Sequence, residues 1–60
     1  MTTEQLTEAN LMANNIKGIE NMVHVLTEAK GFSEAQRARM LTPLREVLAD
    51  LKSDFDAFLG

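Results

Sequence analysis

The sequence contains no cysteine, tryptophan or tyrosine. Without cysteine there is no disulfide to brace a small fold and no thiolate to bind a metal or attack a substrate. A single histidine, His24, excludes a zinc site built from several imidazoles of one chain. The aromatic side chains are Phe32, Phe55 and Phe58, too few for a base-stacking platform. Positive charge is also scarce. The formal net charge is −3 and the signs are mixed along the chain, so the general footprint of a nucleic-acid binder is missing. No apolar run approaches the roughly 20 residues that span a bilayer. The opening MTTEQLTEAN is polar and acidic, unlike a secretory leader, and the expected location is the cytoplasm.

Signatures of chemistry are equally sparse. There is no glycine-rich phosphate loop, no serine or cysteine nucleophile beside a base, and no cofactor motif. Glu46, Asp50, Asp54 and Asp56 form an acidic stretch, but paired carboxylates do acid–base work only inside an enclosing pocket. A narrow helical surface offers none. Glu20, His24 and Glu28 fall at i, i+4 and i+8 on one line of a helix. That spacing is common on solvated faces and has no further ligand, so no metal site is assigned. The chain is expected to be neither an enzyme nor a carrier of a cofactor or metal.

What the sequence does hold is helical periodicity. Pro43 and three glycines are the only strong breakers in 60 residues. Thr2 followed by Gln5 fits a capping box, with Glu4 in the first turn where the helix dipole favours an anion. Lys30 and Gly31 fit a last turn and a left-handed cap. A first helix is therefore predicted over about residues 4–30, a turn at 31–33, and a second helix over about 34–59 that opens with Ser33 and Gln36 as another capping box. Phe32 is expected to fold back onto Leu26. A connection this short makes the two helices antiparallel. Pro43 either kinks the second helix, freeing the carbonyl of Arg39, or separates it into two. The series Leu41, Leu44, Leu48, Leu51, Phe55 and Phe58 keeps its phase across Pro43, which favours one bent helix.

The first helix carries two apolar stripes. Met12, Ile16, Ile19, Val23 and Leu26 form one. Leu11, Asn15, Gly18, Met22, Val25 and Ala29 form the other. One neighbouring helix buries one stripe. A hairpin supplies one neighbour, and a chain this short without disulfide or metal draws stability from association. The fold class expected is all-α: an antiparallel two-helix hairpin, kinked or broken at Pro43, that dimerises into a four-helix bundle. Leu11, Asn15, Gly18, Met22 and Val25 are assigned to the dimer interface. Gly18 is read either as a point of close helix approach or as a tolerated glycine. Asn15 is read either as a register-setting buried amide or as a boundary residue touching water. Met12, Met22 and Met40 are read as gap-fillers of the bundle, with Met22 and Met40 marking a site for a larger protein if they are exposed in the dimer.

Charge suggests how two hairpins would lie. Glu4, Glu8, Asp50, Asp54 and Asp56 gather at the open end, while Lys30, Arg37 and Arg39 gather near the turn. An antiparallel pair sets unlike ends together. The function expected is a non-catalytic protein–protein interaction module: an adaptor, inhibitor or regulatory subunit working as a homodimer, with a larger protein as a further partner. The alternative is an RNA- or DNA-binding helical hairpin dimer that uses Arg37, Arg39 and Arg45, although the acidic balance argues against nucleic acid.

Overall fold

A computed structural model describes all residues, 1–60. Helix α1 (Thr3–Glu28) and helix α2 (Glu34–Leu59), 26 residues each, fold back on one another as a hairpin. The rod measures 47 × 16 × 10 Å between Cα extremes. Neither helix is long and apolar enough to cross a membrane.

Both helices begin with reciprocal caps. The Gln5 backbone N–H donates to Thr2 Oγ1 at 3.1 Å, and the Thr2 N–H donates to Gln5 Oε1 at 2.8 Å. At α2 the Gln36 N–H donates to Ser33 Oγ at 3.1 Å and the Ser33 N–H to Gln36 Oε1 at 2.9 Å. Each pair satisfies backbone donors that the first turn of a helix leaves orphaned.

The end of α1 departs from the expected one. The helix closes at Glu28, and Ala29 is already extended with ψ 136°. Lys30 therefore stands outside the helix and supplies no charge to its last turn. At the break the Arg37 guanidinium donates to the Ala29 carbonyl at 2.6 Å, which gives a partner to an oxygen that the end of the helix leaves without one. Gly31 follows at φ 90°, where a residue with a Cβ is strained. Phe32, 43% exposed, lines a shallow depression with Gln36, Arg39 and Met40 of α2.

Helix α2 runs without interruption through Pro43. Proline has no N–H, so the Arg39 carbonyl lacks its usual helical donor there. Pro43 itself is exposed.

The seam between the helices is thin. Ala9, Ile16 and Leu41 are its buried residues, with Leu41 the most enclosed at 4% exposure. Met12, Ile19, Val23 and Leu26 flank it on α1 and are half-buried. Met40, Leu44, Leu48, Leu51, Phe55 and Phe58 do the same on α2. Forty-three of the 46 backbone hydrogen bonds lie within the helices, and the other three join helix ends to their own caps. No backbone bond ties α1 to α2. Side-chain packing holds the hairpin shut, assisted by an exposed Lys52–Glu20 ion pair at 3.8 Å that is worth well under about 1 kcal/mol.

Candidate functional site

The Lys52–Glu20 pair identifies one broad face of the hairpin, because it bridges α1 and α2 on that side. At about 100° per residue, Leu11, Met22 and Val25 stand roughly 140–180° around α1 from Glu20. On α2, Val47 stands roughly 140° around from Lys52. Leu11, Met22 and Val47 therefore look towards the opposite broad face, and Val25 is turned further, to the outer edge of α1 directly opposite buried Ile16. They are also exposed: Leu11 59%, Met22 49%, Val25 63% and Val47 45%. Met22, Val25 and the half-buried Leu26 line a shallow, mostly apolar depression with Asn21. A row of large apolar side chains at helical spacing, left open to water by its own fold, is the surface feature that most distinguishes this molecule.

Gly18 lies in the middle of that row and is exposed. A Cβ built on it meets nothing within 4 Å. Its missing side chain makes no room for anything in the hairpin itself. Asn15, also exposed, flanks the row. Ala29, at its far end, is half-buried in the connection.

Val47 was not singled out by periodicity. At about 100° per residue it falls roughly 70° from the mean direction of the 41–44–48–51–55–58 series, beside its Leu51–Phe58 edge. That offset is the signal, readable only once the opposite face of α1 is known to be apolar. Met1, Leu6 and Leu59 are further exposed apolar residues, all at the open end.

The three arginines considered for nucleic acid are not brought together. Arg37 is half-buried and committed to the Ala29 carbonyl, and its Nε has no hydrogen-bond partner. Arg39 and Arg45 are exposed, but six residues of helix turn them about 120° apart. The acidic column on α1 is likewise divided. His24 Nε2 lies 3.5 Å from Glu28 Oε2, whereas Glu20 is drawn to Lys52. No group of three or more histidine, aspartate or glutamate side chains is close enough to hold a metal ion.

No protein-family model, curated protein or solved structure matches this chain. Fold and surface together define an all-helical hairpin with one unpartnered apolar face.

Proposed function

We propose that this chain is a non-catalytic protein–protein interaction module, an adaptor, inhibitor or regulatory subunit of the cytoplasm, and that it acts as a homodimer. Two hairpins lay their apolar faces together as a four-helix bundle, with α2 bending at Pro43 to follow the bundle. The observation that carries this reading is the exposure of Leu11 and Met22 on the face that Val47 shares, with Val25 beside them on the outer edge of α1. Burying side chains of this size stabilises association by about 1.5–3 kcal/mol each before the entropy of joining two bodies is subtracted. The outer surface of the bundle then remains for a protein partner.

Sedimentation equilibrium at micromolar protein tests the dimer. A mass of twice 6.7 kDa is expected, and Leu11→Asp with Val25→Asp should return it to 6.7 kDa while far-UV circular dichroism stays helical. A wild-type mass of one chain would remove the proposal.

A further inference from the structure

Resting on that reading, we infer that the second copy docks in the reverse direction, so that α1 lies antiparallel on α1 of the other copy and the two cross at Gly18. Three observations lead here. The first is the spacing of the exposed row. Leu11 and Val25 each stand seven residues from Gly18, one before it and one after. Seven residues are almost two full helical turns, so all three lie on nearly the same line of α1. Reversing a second α1 about Gly18 brings Leu11 of each copy opposite Val25 of the other. The row is then its own complement, as a two-fold interface requires.

The second observation is Gly18 itself. Its Cβ position is empty for 4 Å around and it faces outward, so its small size has no use within one hairpin. At the crossing point it lets the two α1 backbones approach closely, and the flanking apolar side chains then interdigitate.

The third is charge. The open-end half, residues 1–16 and 47–60, holds Glu4, Glu8, Asp50, Asp54 and Asp56 against Lys52 alone, a net of −4. The turn half, residues 17–46, holds five cations against four anions, a net of +1. Packing in the same direction would stack −4 on −4, whereas reversal sets each acidic half over a turn half. Such complementarity selects orientation more than strength. The footprint is of the right size as well: a face 47 Å by 16 Å between Cα extremes is close to the roughly 800 Å² per partner that stable interfaces bury.

The absence of cysteine makes the test direct. Leu11→Cys and Val25→Cys are prepared as separate chains, treated with a short thiol cross-linker alone and as a mixture, and run without reductant. Both positions are exposed, so the hairpin tolerates the changes, which circular dichroism verifies. Cross-linked pairs are expected from the mixture. Leu11→Cys alone should stay single, because its two copies are 14 residues apart along the crossing, about 21 Å. Self-linkage of Leu11→Cys, or a dimeric mass with no cross-link in the mixture, overturns the orientation while leaving the dimer in place. A mass of one chain overturns both.

Discussion

Replacing Gly18 by alanine separates the two lives this residue would lead. In the hairpin alone the added methyl group meets nothing within 4 Å, and the backbone there is ordinary helix. Alanine in a helix interior is favoured over glycine by about 1 kcal/mol, largely because the unfolded chain has less freedom to lose. For a domain of this size that gain corresponds to a rise of roughly 4–8 °C in Tm. In the reversed dimer the same methyl group enters the point where two α1 backbones are closest, and it does so twice. Crowding of that kind costs about 1–3 kcal/mol, enough to cancel the gain or exceed it. Thermal melts followed by circular dichroism at dilute and at concentrated protein provide the assay, with sedimentation to read the association directly. The variant should melt higher than wild type when dilute and lose that advantage when concentrated, with a weaker dimer. An equal rise at both concentrations, with unchanged association, would show that Gly18 is a spare surface glycine and refute the close crossing.

The remaining predictions concern the hairpin. Leu41→Ala empties the most enclosed position of the seam and should cost about 2–5 kcal/mol in urea titration. That is a large share of the roughly 3–9 kcal/mol expected for 60 residues. Gly31→Ala forces a side chain to adopt φ 90° and should cost about 1–2 kcal/mol by the same titration, with helix content retained below the transition. Thr2→Ala and Ser33→Ala should each cost about 1 kcal/mol. Because the two caps stand at opposite ends of a rod 47 Å long, the double variant should show the sum to within about 0.5 kcal/mol.

The local signals in this sequence were legible because they act over three or four residues. Thr2 with Gln5 and Ser33 with Gln36 announce both helix starts, and the hydrogen bonds that they imply are present. The phase of Met12, Ile16, Ile19, Val23 and Leu26 identifies the side of α1 that meets α2. What the sequence leaves open turns on contacts between residues further apart. A first helix over about 4–30 differs by two residues at its end from Thr3–Glu28, and the bond from Arg37 to the Ala29 carbonyl, eight residues away, is not readable from local spacing. The same bond engages Arg37, and Arg39 and Arg45 diverge on α2, an arrangement that proximity in sequence does not reveal. Val47 was hidden for a related reason: its meaning depends on which side of α2 faces the same way as Leu11, and only the pairing of Lys52 with Glu20 reveals that.

With no main-chain bond between them, α1 and α2 are held by side-chain packing and by their connection. That packing cannot tell a chain's own α2 from the identical α2 of a neighbouring molecule. What makes the attached helix the resident one is its tether, Ala29–Ser33, which holds it nearby at an effective concentration on the order of millimolar. Severed at Gly31, the halves would have to find each other from free solution, and strands from different molecules would trade places without preference.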